Sequence, residues 1–196
     1  MSTPPKTFYT PEEYLALERK AEGRSEYHDG QIVAISGATR WHSRIETQLA
    51  LLIEQHLAGR PCEAFSSSMR VLARPSGLYT YPDLSVACEE PQFADAEMDT
   101  LVNPTLLVEI LSPSTEDYDR GTKAKMYRAI PSLRELLLIS QESYEVELYR
   151  RQAGGGWSLT EAKGLEASIE LESIGYTLRL LDLYKKVLAH REAAEA

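Results

Sequence analysis

Hydrophobic and polar positions along this chain change period several times, and each change marks an element. Ile45, Leu49, Leu52, Ile53 and Leu57 recur at spacings of three and four, which predicts a long amphipathic helix from Trp41 to Ala58, closed by Gly59-Arg60-Pro61. Thr10-Pro11-Glu12-Glu13 predicts an earlier, shorter helix: a Thr N-cap, Pro at N1 and a Glu that completes a capping box. Between them, Asp29-Gly30 predicts a hairpin turn over Glu26 to Ser36. Short strands are expected at 63–65 and 69–73 across a serine-rich bend, then a turn at Pro75-Ser76-Gly77 and a strand from Asp83 to Cys88. Glu89 to Asn103 reads as a polar loop. Leu106 to Leu111 is apolar at every position but one, the pattern of a strand covered on both faces. A helical pattern begins near Asp119, and Glu135 to Ile139 is a second buried strand. Tyr144 to Arg150 alternates and, through Gly154-Gly155-Gly156, leads into Trp157 to Thr160, an added hairpin at a sheet edge. Leu178 to Arg191 predicts a closing helix.

Strands in runs, with one helix early and one between late strands, predict an α/β (α+β mixed-sheet) fold with flanking helices. The chain has 196 residues, enough for one domain spanning 1–196 with a sizeable core. Residues 1–7 and 192–196 are expected to be loose tails. No apolar run is long enough to span a bilayer and no signal region opens the chain, so no membrane partner is expected. Cys62 and Cys88 do not form a disulfide framework and read as small buried apolar residues, which points to a reducing, cytoplasmic setting. The net charge of −9 counts against tight non-specific binding of nucleic acid.

The one polar residue in the 106–111 strand is Glu109. A carboxylate there is costly unless a cation, a metal or several donors meet it. From the strand pattern alone, a structural acid paired with an arginine such as Arg70 fits as well as a ligand. Asp83 follows Pro82 at the start of its strand, because proline is tolerated there and not in a strand centre. On the following helix, Asp119, Lys123 and Tyr127 fall at i, i+4 and i+8 on one face, whereas Lys125 is turned about 200° from Lys123. Two hard oxygen ligands beside an ammonium suit Mg²⁺ (or Mn²⁺) and a phosphodiester.

Pro82-Asp83, Val108-Glu109-Ile110-Leu111-Ser112-Pro113-Ser114-Thr115, Asp119, Lys123 and Tyr127 resemble the Uma-type family of restriction endonucleases, within the PD-(D/E)XK nuclease superfamily. Tyr27-His28-Asp29-Gly30 and His42 extend the resemblance over residues 8–150. It implies a restriction-endonuclease-like α-β-β-β-α-β core and a Mg²⁺-dependent endonuclease. In that scheme Asp83 and Glu109 hold the metal, with the backbone carbonyl of Ile110 as a further ligand. The superfamily's lysine, expected two residues after Glu109, is replaced by Leu111, so the resemblance implies a migrated lysine, Lys123.

Taken singly, Asp83 suits a turn and Lys123 a solvated helix face; together the three favour a site. His42 reads as a helix-cap histidine or, with Glu46, as the edge of a metal site. Glu26 reads as a strand residue or an accessory acid. Asp119 suits a helix start or an orienting role for Lys123, and Tyr127 suits the core or a phosphate contact. The expected partner is DNA, held weakly or at a specific site, and the expected assembly a homodimer built on the 144–160 hairpin or on Leu181, Tyr184 and Leu188 of the closing helix. The competing reading is a non-catalytic descendant of the fold used for nucleic-acid or protein interaction. A serine hydrolase using Ser112 or Ser114 lacks the G-x-S-x-G turn and a histidine partner.

Overall fold

The computed structural model describes residues 8–74 and 76–195, with side chains through residue 187. The loose N-terminal tail, Pro75 of the expected turn, the Leu188 side chain and Ala196 lie outside the described residues.

The first helix, α1 (Pro11–Glu18), carries the expected capping box: Thr10 N–H donates to Glu13 Oε2 at 2.9 Å and Glu13 N–H to Thr10 Oγ1 at 3.3 Å. Strands β1 (Ser25–His28) and β2 (Gln31–Ala34) form the hairpin, with Asp29 at φ 48° and Gly30 at φ 78° in its tight turn. Helix α2 (Arg40–Leu57) buries Ile45, Leu49, Ile53 and Leu57, the period read from the sequence. Each such side chain contributes about 1.5–3 kcal/mol on burial. Then come β3 (Glu63–Ser66), β4 (Arg70–Ala73), β5 (Leu78–Thr80), β6 (Leu84–Ala87), β7 (Thr100–Leu101) and β8 (Leu106–Leu111). A bent helical segment follows: α3 (Glu116–Tyr118), a π-helical turn (Asp119–Lys123) and α4 (Ala124–Arg128). The chain closes with β9 (Glu135–Ser140), β10 (Glu145–Arg151), β11 (Trp157–Lys163), β12 (Ser168–Leu171), β13 (Tyr176–Arg179) and α5 (Leu180–Glu195).

A six-stranded sheet, ordered β11-β10-β9-β8-β6-β3, is the centre. Strands β8 and β9 are parallel and the other neighbours antiparallel. Successive side chains of β8 point to opposite faces. Leu106, Val108 and Ile110 join the core under α2 and α5. Leu107 and Leu111 join the opposite core, under α4 and a five-stranded sheet ordered β2-β1-β5-β4-β7. Glu109 shares the parity of Leu107 and Leu111, so it faces α4. The run α2, β3, β6, β8, α3–α4, β9 is the α-β-β-β-α-β order the resemblance implies.

Several expectations need correction. Strand β7 lies inside the stretch read as a loop, because only two residues pair, with β4. The β12–β13 pair was not read either. Its residues Ile169, Leu171 and Leu178 cover the α2–α5 core, and β13 takes up the start of the expected closing helix. Helix α5 itself runs to Glu195, through the stretch expected to be loose. Tyr184 is not a dimer surface, for it is 1 % exposed and its hydroxyl donates to Ser140 O and Glu145 O. Strand β11 does form the sheet edge that was expected at the hairpin. Finally, Cys62 and Cys88 are joined by a disulfide rather than packed as free thiols. They flank the antiparallel β3–β6 pair one position beyond Glu63 and Ala87, which brings the two side chains together. A bonded pair removes the ground for inferring a reducing compartment. Among the described residues no helix is long and apolar enough to cross a membrane.

Candidate active site

The central sheet delivers two acids to one end. In the β6–β8 pair, Leu84 opposes Val108. One step further along this antiparallel register, Asp83 lies across from Glu109. Pro82 ends the ladder there, and the Ile110 N–H, left without a strand partner on that side, donates to Asp83 Oδ2 at 2.6 Å. Asp83 is thus oriented by the strand that carries Glu109.

Glu109 is 5 % exposed. Its Oε1 accepts from the Tyr127 hydroxyl at 2.5 Å and pairs with Lys123 Nζ at 2.9 Å. Lys123 is equally buried and also meets Glu26 Oε1 at 2.9 Å and Asp119 Oδ1 at 3.6 Å. Thr80 Oγ1 donates to Glu26 Oε1 and lies 3.2 Å from the Tyr127 hydroxyl. The contacts close a ring: Glu26, Lys123, Glu109, Tyr127, Thr80. Helical phase thus predicts the grouping of Asp119, Lys123 and Tyr127, while the exposed Lys125 faces away. The arginine expected as the structural alternative is elsewhere; Arg70 Nη2 pairs with Asp99 at 2.8 Å.

A second group stands beside the ring. Thr39 caps α2, its Oγ1 accepting from the His42 N–H at 3.2 Å, and this fixes His42 in the first helical turn. His42 Nε2 lies 3.3 Å from Asp83 Oδ2. Glu46, one turn on, accepts from Ser67 Oγ at 2.6 Å. Ligand atoms of His42, Glu46 and Asp83 lie within 4.8 Å of one another, a spacing compatible with one cation. Among the described residues, the buried His42 Nδ1 has no hydrogen-bond partner.

The electrostatics follow from burial and crowding. Burial raises the Glu109 carboxyl well above the ordinary carboxylate range; Lys123 pulls it down, but Asp83 and Asp119 add to the rise. Burial opposes the charge on Lys123, yet Glu109, Tyr127, Glu26 and Asp119 hold it firmly protonated. Asp119 is raised by burial against the pull of Lys123. Tyr127 is raised far enough by burial, then by Glu109, to remain a neutral donor. Burial disfavours a charged His42, but Asp83, with Glu46 and Glu109, more than offsets this and lifts the imidazole above its usual value.

Both groups open on one cavity of about 480 Å³. Its walls include Arg24 and Tyr81, the 33–39 segment, Pro113 and Tyr118. The structure therefore brings together Asp83, Glu109, Lys123, Glu26, His42, Glu46, Asp119 and Tyr127. Ile110 enters through its N–H rather than, as expected, through its carbonyl alone. Thr80 and Ser67 were missed. Each is a small hydroxyl on a short strand or bend, and only the three-dimensional partner gives it meaning.

The sequence pattern of the Uma2 family, described as "Putative restriction endonuclease", matches residues 11–182. Two uncharacterised proteins of Synechocystis are similar: one is 40% identical over 161 residues, covering 82% of this chain and 91% of its own, and the other 38% identical over 176 residues, covering 90% and 91%. A crystal structure from Anabaena variabilis, described as a "putative nuclease", superposes with a TM-score of 0.71 at 22% identity, covering 89% of this chain and 96% of that one. At that identity the likeness is one of fold.

Proposed function

The chain belongs to the Uma2 family, and on that premise we propose that it is a metal-dependent endonuclease hydrolysing phosphodiester bonds in DNA. The observation that carries this reading is the buried Lys123 ammonium, seated on Glu109 at 2.9 Å, beside an aspartate from the neighbouring strand. A lone structural lysine has no need of two buried acids and a third, half-buried one.

The donor set fits a divalent cation. Asp83 and Glu46 offer hard oxygens and His42 an imidazole within reach of one cation, Glu109 across from Asp83 is the further carboxylate we assign to it, and the buried His42 Nδ1 lacks a partner among the described residues. The Ile110 carbonyl points to the same side of β8 as its N–H, toward Asp83, and is a further candidate ligand. The carboxylates suit Mg²⁺ or Mn²⁺. When bound, such an ion supplies Lewis-acid polarisation of a phosphoryl oxygen and a lowered pKa for water. The chain's own groups do the rest. Lys123 stabilises negative charge building on the phosphoryl oxygens and orients the attacking water. Tyr127 fixes the Glu109 carboxyl by donating to one oxygen. Glu26 and Asp119 keep Lys123 protonated and in place.

The −9 charge favours one alternative, a non-catalytic descendant that uses the same cleft for interaction. Calorimetric titration with Mn²⁺ and cleavage of plasmid DNA, single strands and RNA separate the two. The parent should bind Mn²⁺ and cut DNA, while Asp83→Asn and Glu109→Gln should do neither. Equal cleavage by all three proteins means a contaminant. Mn²⁺ binding without cleavage of any substrate supports the interaction module. The homodimer is proposed on the free β11 edge; a monomer mass by light scattering at micromolar concentration refutes it.

A further inference from the structure

The walls of the cavity say more about the substrate than its floor does. Five carboxylates line it: Glu26, Glu46, Asp83, Glu109 and Asp119. Only Arg24 and Lys123 among the described lining residues carry a permanent positive charge, and Lys123 is already surrounded by three of the acids. A protein that grips duplex DNA neutralises several phosphates, commonly about 6–10, with lysine and arginine along its rim. Among the described residues that line the cavity there is no such row.

What it has instead is exposed apolar and aromatic surface. Val33 is 62% exposed, Ile35 39% and Tyr118 39%, and all three line the same cavity. Val33 lies on β2, the edge of its sheet, and Ile35 just beyond it. Tyr118 immediately precedes the π-helical turn that carries Lys123. Tyr81 adds a second ring, with the Arg24 guanidinium 5.5 Å from its centre. Hydroxyls of Ser36, Thr39, Ser112 and Thr115 complete the wall. Flat rings and apolar patches suit the faces of unstacked bases. They offer little to a duplex, whose base faces are hidden.

Resting on the nuclease reading for its chemistry but not for its geometry, we propose that the cleft takes an unpaired DNA strand. A base next to the bound phosphate lies against Tyr118 and the Val33–Ile35 wall, and Arg24 meets a flanking phosphate. The few phosphate contacts make binding weakly dependent on salt, with a log–log slope of about −1 to −2.

The test is fluorescence anisotropy of a labelled single-stranded 20-mer and of its duplex, with the full chain in Mn²⁺, followed by cleavage of both and of a duplex carrying an internal unpaired bulge. Single strand should bind at least about tenfold more tightly than duplex, and cuts should map to the bulge. Tyr118→Ala and the double change Val33→Ser, Ile35→Ser should each weaken single-strand binding about five- to tenfold, and Tyr118→Phe should restore it. These side chains are exposed, so the variants keep the fold, which circular dichroism verifies. Equal or tighter binding of duplex overturns the proposal while leaving a nuclease possible. So does binding that ignores Tyr118→Ala, or no binding to either DNA. Single-strand binding that depends on Tyr118, without cleavage of any substrate, upholds the proposal and overturns the nuclease reading.

Discussion

Two buried glutamates sit on neighbouring strands of the central sheet and behave in opposite ways. Glu135, on β9, is 1 % exposed, and both of its oxygens are occupied. Oε1 accepts from Arg150 Nε at 2.8 Å and from the Glu172 N–H at 3.1 Å; Oε2 accepts from the Ser173 N–H at 3.0 Å and its Oγ at 2.5 Å. Glu109, on β8, has both of its partners on Oε1, while Oε2 has no hydrogen bond to any described residue and the side chain lines the cavity. The first acid is saturated by backbone donors and a guanidinium, and it pins the segment before β13 to the sheet. The second is half satisfied and ringed by other acids. Burial alone does not separate the two carboxylates; the distribution of donors over their oxygens does, and it makes Glu109 the candidate for a functional role.

The strongest way to break this contrast is to neutralise each acid in turn. Glu109→Gln should lower cleavage by about a thousandfold or more, since a cation ligand is lost, yet change unfolding free energy by less than about 1 kcal/mol. Removing a charge crowded by Asp83 and Asp119 offsets the weakened contact with Lys123. Glu135→Ala should do the reverse: about 3 kcal/mol lost in urea titration, from three donors left without an acceptor and a weakened hold on Arg150, with cleavage by the folded fraction unaltered. If Glu135→Ala abolishes Mn²⁺ binding while the fold persists, the distinction fails.

Lys123→Met comes next. It leaves the buried Glu109 and Asp119 and the half-buried Glu26 without their ammonium, so a loss of about 3 kcal/mol is expected unless the buried acids take up protons. The same variant should be more stable in mild acid than at neutral pH, the opposite of the usual trend for paired carboxylates. The sign follows from Glu109 and Asp119: burial raises both carboxyls and Lys123 opposes the rise, so without Lys123 the folded state binds more protons and stability falls as pH rises.

Proton linkage gives a third handle. Burial raises the Glu109 carboxyl above the ordinary carboxylate range, so a cation held by Glu109 would compete with a proton there. Mn²⁺ affinity should therefore rise with pH, and calorimetry in buffers of different ionisation enthalpy should detect proton release. Affinity independent of pH would show that Glu109 is already ionised. The smallest effect is expected from Tyr127→Phe, which removes one donor from Glu109 and should cost about 1 kcal/mol of stability.

The pair Asp83 and Glu109 was legible because each breaks a local rule: an acid after proline at a strand start, and an acid inside an apolar run. Lys123 was legible through helical phase once Leu111 had excluded the nearer position. Glu26 as a direct partner of Lys123 was not. The two are far apart in sequence, and the β1–β5 pairing that brings Glu26 and Thr80 to the site involves a single ladder position, Tyr27 with Tyr79. Strand β5 has three residues and β7 two, too few for any period to show. The Cys62–Cys88 bond was hidden for the same reason, since it depends on which of several short strands pair.

The π-helical turn from Asp119 to Lys123 acts as a phase correction. A turn of this kind holds one residue more than a regular one, and so rotates everything before it by about 100° relative to everything after. Here that offset lets Tyr118 open toward the cleft while Lys123 and Tyr127 point into the sheet. Deleting one residue at Gly121, which has open space where a side chain would begin, would give a regular helix of ordinary stability. Because the turn absorbs one extra residue, that deletion would keep Tyr118 turned as it is, whereas a regular helix over the unchanged sequence would turn it away from the cleft by about 100°. In this helix the irregular turn is a gear between two faces, and a smoother backbone over the same sequence would be a misaligned one.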